Sequence, residues 1–148
     1  MSEHRVQTKW ERTSKSFEFD HYNREHIWCI EGKEIPASAA PEYKGKPSHV
    51  DPEQAFVASL SSCHMLTFLA LAAKKRIVVD RYEDDAYGKL GKNDDGVMAI
   101  TEVVLRPRVT FAAGHTTSYD ELQKLHAKAH EHCFIANSVK CPIKILPQ

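Results

Sequence analysis

The longest apolar segment of the chain, residues 55–73 (AFVASLSSCHMLTFLALAA), constrains the fold more than any other feature. As a helix, this segment is long enough to cross a bilayer. The preceding DPE at residues 51–53 supplies an N-cap, a proline at the first helical position and an acid in the first turn. The KKR at residues 74–76 places positive charge at the other end, and serines and His64 lower the hydropathy of the centre. We therefore predict the central helix of a soluble domain or a subunit interface, and no membrane span.

Extended segments precede and follow this helix in the sequence. They are Arg5–Trp10, Phe17–Phe19, Ile27–Ile30, Ile77–Leu90, Val97–Phe111 and Ile143–Ile145. Because the turn-rich residues 91–96 join two of them, we predict a hairpin there. Along its second strand, one face carries Ala99, Val103, Leu105, Val109 and Phe111, and the other carries Glu102, Arg106, Arg108 and Thr110. This alternation predicts one buried face and one solvated face.

A second helix is predicted after Ser118, which can form a capping box with Glu121. An apolar stripe continues along it at four-residue spacing and consists of Leu122, Leu125 and Ala129. Extending this stripe places Cys133 on the buried side, at or just beyond the end of the helix.

The order of these elements is strands, a long helix, a hairpin, an amphipathic helix and a strand. Segregated strands and helices of this kind indicate an α+β fold, and no linker divides the chain, so we predict a single domain over residues 1–148. A helix that is apolar on every side is hard to cover with so few strands. We therefore expect a homodimer that buries this helix between subunits.

The charge balance argues against nucleic acid and anionic membranes as partners, because 20 basic and 20 acidic residues give a formal net charge of zero. The charged N-terminal residues contain no continuous apolar stretch of the kind that a signal peptide needs, so we expect a cytoplasmic protein. The four cysteines, Cys29, Cys63, Cys133 and Cys141, include no CxxC pair. Their spacing argues against a secreted disulfide scaffold and against a zinc knuckle.

Cys63 and Cys133 both fall on apolar helical surface, where a free cysteine ordinarily serves as a small hydrophobic residue. Two such thiols on the only two helices also fit a redox cycle, in which one thiolate is oxidised and the second captures the sulfenic acid. Such a thiolate needs a cation or hydrogen bonds to stabilise it. His64 points about 100° away from Cys63 around the helix, so we interpret it as structural.

His126 and His130 lie four residues apart on one face of the second predicted helix, a spacing that can chelate zinc. No HExxH signature accompanies them and a third ligand is not evident, so a solvated or partly buried helix face is the simpler interpretation. The chain also contains no phosphate loop, dinucleotide fingerprint or GxSxG motif.

The stretch DPEQAFVASLSSCHML resembles the signature of the osmotically inducible protein C and organic hydroperoxide resistance (OsmC/Ohr) family. In that signature, Pro-Glu opens a central helix and a cysteine follows ten residues after the glutamate; here these are Pro52, Glu53 and Cys63. A second cysteine after an amphipathic helix is the other landmark, and HCFIANSV places Cys133 there. The RYEDDAYGKL segment is also similar to the family.

The resemblance implies an intertwined homodimer of α+β subunits, with antiparallel sheets around long central helices. It implies a peroxidase for organic hydroperoxides that uses thiols and no metal, haem or flavin. Cys63 would be the peroxidatic cysteine, and Cys133 would resolve its sulfenic acid as a disulfide that an external dithiol reduces. Glu53 would orient an arginine beside the thiolate. Because ten helical residues span about 15 Å, Glu53 and Cys63 of one site should come from different chains.

The position of that arginine separates two branches of the family. One branch carries it in the loop before the central helix, but this chain has Glu42 and lysines there. In the other branch it lies in an early turn, which matches Arg24 in HYNREH. Phe134 also stands where relatives often have proline.

The alternative hypothesis is therefore a non-catalytic member of the family, in which the same dimer binds a small hydrophobic ligand or a protein partner.

Overall fold

The structure, a computed structural model, describes all residues, 1–148, and the predicted α+β class is confirmed. Its main elements are β1 (Gln7–Lys9), β2 (His26–Ile30), β3 (Lys33–Ala37), α1 (Pro52–Lys74), β4 (Val79–Asp84), β5 (Tyr87–Lys92), β6 (Met98–Leu105), β7 (Pro107–Phe111), α2 (Tyr119–His132) and β8 (Ile143–Ile145). The chain forms two compact units, Met1–Ala55 and Phe56–Gln148.

The first unit contains an antiparallel sheet in the order β1-β2-β3. The hairpin between β2 and β3 turns through Glu31 and Gly32, whose φ angles of 48° and 74° are both positive, as a two-residue hairpin turn of type I′ requires. The predicted strand at Phe17–Phe19 is wrong, since these residues form no strand. The ring of Phe17 instead packs against the rings of Trp10 and Tyr22, at centroid distances of 5.8 Å and 5.2 Å.

The start of α1 follows from its sequence. The Asp51 carboxylate accepts a hydrogen bond from the backbone N–H of Gln54 at 2.7 Å, and the Gln54 side chain accepts one from the backbone N–H of Asp51 at 3.1 Å. This reciprocal pair satisfies two of the amide groups that a helix leaves unpaired at its N-terminus. The other end closes with Arg76 at φ 58° and a hydrogen bond from Ile77 N–H to the Ala72 carbonyl.

The buried side of α1 is one stripe of residues at four-residue spacing. It consists of Leu60, His64, Phe68 and Ala72. Other faces of the helix are open, and Leu66 is 60 % exposed. By length and composition alone α1 could cross a membrane, a test that core helices of soluble proteins also pass.

The predicted hairpin is confirmed as the antiparallel pair β5 and β6, with β8 added parallel to β6. Each long predicted segment breaks into two strands, however, and the outer halves, β4 and β7, form a separate two-stranded sheet. The break lies where Asp84 meets Arg106. Asp84 accepts hydrogen bonds from the backbone N–H of Arg106 at 2.6 Å and from the Ser61 hydroxyl at 2.5 Å, and Pro107 has no N–H to donate.

The predicted alternation of buried and solvated faces holds in β7, where Arg108 and Thr110 are exposed. It fails in β6, where Val104 is buried beside Val103 and Leu105. β6 lies between β5 and β8, and a central strand is more easily covered on both faces than an edge strand.

Two apolar clusters form the core of the second unit. The first joins Phe68 and Ala72 of α1 to Leu125 and Ala129 of α2. The second joins Leu60 of α1 to the buried end of β6. In the latter, β5 approaches α1 closely at Gly88, where an added Cβ would lie 2.8 Å from the Val57 side chain. The same helix is therefore packed in both clusters.

The N-cap of α1 leads to a prediction about stability. Replacing Asp51 with alanine removes the acceptor, so we expect the free energy of unfolding to fall by about 1 kcal/mol. Asp51→Asn keeps an acceptor oxygen and should retain most of that stability. Urea denaturation at one fixed protein concentration measures both. An equal loss in the two variants would show that the charge, and not the hydrogen bond, stabilises this end.

Candidate dithiol site

The two cysteines singled out from the sequence lie together in the second unit. Cys63 is at the centre of α1 and is partly buried, whereas Cys133 is the C-cap of α2 and is 1 % exposed. Both thiols are free, and the Cys63 side chain lies close enough to Cys133 to raise the pKa of the Cys133 thiol. The structure thus brings together residues that are far apart in the sequence.

The sequence of α2 explains where Cys133 lies. The predicted capping box is present, with the Ser118 hydroxyl accepting from the Glu121 N–H and the Glu121 carboxylate accepting from the Ser118 N–H. This fixes the first residue of the helix, and the buried stripe of Leu125 and Ala129 fixes its inner face. Cys133 continues that stripe at the last turn, as the spacing predicts.

The surroundings of Cys133 disfavour its thiolate. Burial, followed by the neighbouring Cys63 side chain, raises the pKa of Cys133 to about 11, and backbone N–H groups of Ala136 and Ile135 oppose this only in part. The Ala136 N–H lies 3.4 Å from the sulfur. Cys133 is therefore a protonated thiol at neutral pH.

Arg24 and Glu53, the other two predicted site residues, belong to the first unit. The guanidinium of Arg24 donates to the backbone carbonyls of Tyr22 and Phe19, both at 2.5 Å, and lies over the Tyr22 ring at 3.6 Å from its centroid. Glu53 is partly buried in the first turn of α1 and forms no hydrogen bond or ion pair through its side chain. The two residues are not paired with each other in this chain.

Arg24 lines a pocket of about 400 Å³ in the first unit. The rings of Trp10, Phe17 and Tyr22 form much of its wall, with centroid distances between them of 5.8, 6.4 and 5.2 Å. Its surface is therefore mostly apolar, with one guanidinium group. Such a pocket suits a small ligand with an apolar body and one polar end.

A buried pair of histidines was not predicted. His64 Nε2 lies 3.0 Å from His126 Nδ1, and the two residues are 1 % and 2 % exposed. His64 stands on the four-residue stripe of α1, and His126 is adjacent to the buried Leu125. These positions could have indicated burial, but no sequence signal indicates that the two rings meet.

This pairing bears on the zinc alternative. His126 faces His64, and no group of three or more His, Cys, Asp or Glu side chains that could hold a metal ion occurs in the chain. The outer nitrogens, His64 Nδ1 and His126 Nε2, are buried without a hydrogen-bond partner, as is the hydroxyl of Tyr82. With both rings neutral, one imidazole donates its N–H to the other and a single proton lies between them.

Burial lowers the pKa of both imidazoles. The pKa of His64 falls to about 3, mainly through burial and then through the nearby His126 and His130. The pKa of His126 falls to about 4 through burial alone. Burial and the charge of Asp84 raise the pKa of Tyr82. Each of these groups is held in its uncharged form at neutral pH.

The chain is similar to known proteins in both sequence and structure. The model of the OsmC-like protein family matches residues 45–146. An OsmC-like protein of unknown function from Vibrio cholerae is similar over 100 % of both chains, with 45 % identity and a TM-score of 0.96.

More distant solved structures share the fold. An organic hydroperoxide resistance protein from Elizabethkingia anophelis has 17 % identity and a TM-score of 0.73, with 99 % of this chain and 97 % of that one covered. The organic hydroperoxide resistance protein OhrB of Bacillus subtilis has 18 % identity and a TM-score of 0.71, with 99 % and 98 % covered. No curated protein matches the chain.

The histidine pair predicts acid-sensitive stability. In the unfolded chain both histidines bind protons below about pH 6.5, whereas in the folded chain they stay neutral down to about pH 3 and 4. The free energy of unfolding therefore has its full value above about pH 6.5. Below that pH it falls by up to about 1.4 kcal/mol per pH unit for each histidine.

Urea denaturation between pH 6.5 and 5 checks this, because most carboxylates titrate below that range. His132→Gln, at an exposed position of α2, should leave the slope unchanged. A free energy of unfolding that does not vary with pH in this window would contradict the neutral pair.

Proposed function

The chain belongs to the family of OsmC-like proteins, whose model matches residues 45–146, and on this premise we propose that it is a thiol peroxidase that reduces organic hydroperoxides. The observation that carries the proposal is the proximity of the two thiols, with the Cys63 side chain close enough to raise the pKa of Cys133. Two thiols this close on separate helices can pass through the oxidation and resolution steps of a two-cysteine peroxidase. The names of the distant structural neighbours from Elizabethkingia anophelis and Bacillus subtilis support a hydroperoxide as substrate.

In the first step, the thiolate of Cys63 attacks the outer peroxide oxygen. A sulfur–oxygen bond forms, the oxygen–oxygen bond breaks, and the departing alkoxide takes a proton to become an alcohol. In the second step, the Cys133 sulfur attacks the sulfenic sulfur of Cys63, forming the disulfide. The hydroxyl leaves with the thiol proton of Cys133 as water, and an external dithiol then reduces the disulfide.

The unequal surroundings of the two thiols suit these roles. Cys63 is the more accessible of the two residues, so a peroxide reaches it first. Cys133 is buried and protonated, so it does not compete for the oxidant and brings the proton that the leaving hydroxyl needs.

We propose that Arg24, oriented by Glu53, supplies the positive charge that stabilises the Cys63 thiolate. Support comes from the pocket in which Arg24 stands, where an apolar wall meets one guanidinium group. We also propose a cytoplasmic homodimer. The open apolar face of α1, with Leu66 60 % exposed, supports burial against a second copy.

The first test is oxidation by one equivalent of an alkyl hydroperoxide. We expect the reduced protein to lose two thiols and 2 Da as a Cys63–Cys133 disulfide forms, since two hydrogens leave in water. Cys133→Ser should stop at a sulfenic acid that dimedone traps, and Cys63→Ser should not react. Intact mass and thiol titration measure these outcomes, with Cys29→Ser as a matched control that behaves like the wild type.

Unchanged thiols at equimolar peroxide would exclude the peroxidase. They would favour a second candidate function, in which the aromatic pocket binds a small apolar ligand and both cysteines only pack. The pocket wall provides the readout for that case, because a bound aryl or alkyl alcohol should change the fluorescence of Trp10. Cys63→Ser should then bind as well as the wild type.

The role of Arg24 gives a separate prediction. Arg24→Met removes the charge but keeps most of the side-chain length, and we expect it to slow oxidation of Cys63 by at least tenfold, with Arg24→Lys in between. Stopped-flow measurement of the second-order rate with peroxide checks this. Arg12→Met is the matched control, because Arg12 is exposed in the same unit and bonds only to backbone carbonyls. Equal rates in all variants would remove Arg24 from the mechanism.

A further inference from the structure

The histidine pair is the one direct side-chain hydrogen bond between α1 and α2. Beside it the two helices pack through an apolar cluster, with Phe68 and Ala72 on one side and Leu125 and Ala129 on the other. The rings of His64 and His126 are nearly parallel, at an interplanar angle of 6°, and the ring of Phe68 covers that of His126 at 4.5 Å.

Two polar contacts join α1 to α2 and its C-cap, the hydrogen-bonded imidazoles and the neighbouring thiols. On α1 these contacts involve adjacent residues, Cys63 and His64. On α2 they involve His126 and Cys133, which are seven residues apart and so lie on one face, about two turns from each other. Contacts at two points along α2 restrict both its sliding along α1 and its rotation.

We propose that His64 and His126 are positioning residues, whose hydrogen bond holds α2 in register on α1 and so keeps Cys133 within reach of Cys63 for disulfide formation. The inference rests on the proposed function, because that function makes the disulfide part of the reaction.

Apolar packing alone fixes this register poorly. Hydrophobic attraction is non-directional. An apolar core can therefore lose its single well-defined packing arrangement before the protein loses stability. A disulfide tolerates little displacement, since it needs Cβ atoms roughly 3.5–4.5 Å apart. A buried hydrogen bond between side chains depends on distance and angle, so it can fix the register. Buried polar groups set the register of paired helices in this way.

The test compares two double variants. His64→Leu with His126→Leu removes both partners and so leaves no unpaired imidazole in the core. His64→Gln with His126→Asn replaces each ring by an amide that places a hydrogen-bonding atom near the position of Nε2 or Nδ1. His132→Leu, at the exposed end of α2, is the control. Circular dichroism verifies folding, and His126→Leu alone replaces the double leucine variant if the latter does not fold.

Peroxide is mixed with each protein, and the sulfenic acid and the disulfide are followed separately by rapid quenching. We expect the double leucine variant to form sulfenic acid at a rate within twofold of the wild type but to form the disulfide at least tenfold more slowly. The double amide variant should recover most of that rate. Equal disulfide rates in the leucine variant and the wild type would overturn the proposal, as would an amide variant as slow as the leucine variant.

A second readout needs no peroxide. In a glutathione redox buffer, the equilibrium between dithiol and disulfide reports the effective concentration of Cys133 at Cys63, and we expect the double leucine variant to lower it at least tenfold. If peroxide oxidises no variant, the peroxidase proposal fails, whereas a glutathione difference still supports the positioning role. An unchanged equilibrium overturns that role whether or not the protein is a peroxidase.

Discussion

The buried stripe of α1 is the constraint on which the second unit depends. Because its side chains recur every four residues, one straight helix reaches both apolar clusters, with Leu60 under the end of β6 and Phe68 against α2. Rotating α1 by one residue would turn this stripe by about 100° and expose it. The position of Cys63, one residue before the buried His64, is thus set by packing at both clusters, and the thiol remains at the edge of the buried face.

Cys133 lies in surroundings that favour its neutral form. Burial, Cys63 and two backbone N–H groups are what act on Cys133, and none of them is a cation. A reactive thiolate needs a nearby cation or hydrogen bonds, which is the physical reason for proposing a role for Arg24. In the single chain, Arg24 is bound to carbonyls of its own turn, so the arginine is held in a defined place without a carboxylate partner.

Local signals were enough to predict much of the fold. The start of α1 at Asp51, the capping box at Ser118 and the final strand each depend on residues within a few positions of one another. The division of the two long extended segments was not predictable in this way. It depends on the Asp84 carboxylate reaching the Arg106 backbone, a contact between residues 22 apart. Phe17–Phe19 looked like a strand because its alternation is strand-like, but its aromatic rings pack in a turn.

The same distinction applies to the site. Periodicity along each helix placed Cys63 and Cys133 on packed surfaces, but it could not reveal that His64 meets His126, because the two lie 62 residues apart. A buried imidazole pair with an unpaired nitrogen on each ring costs free energy, and apolar residues of similar volume would generally be no less stable there. The pair joins the two helices that carry the thiols, and His64 directly follows Cys63. The pair thus lowers stability at the contact that aligns Cys63 and Cys133, and this location supports the proposed positioning role.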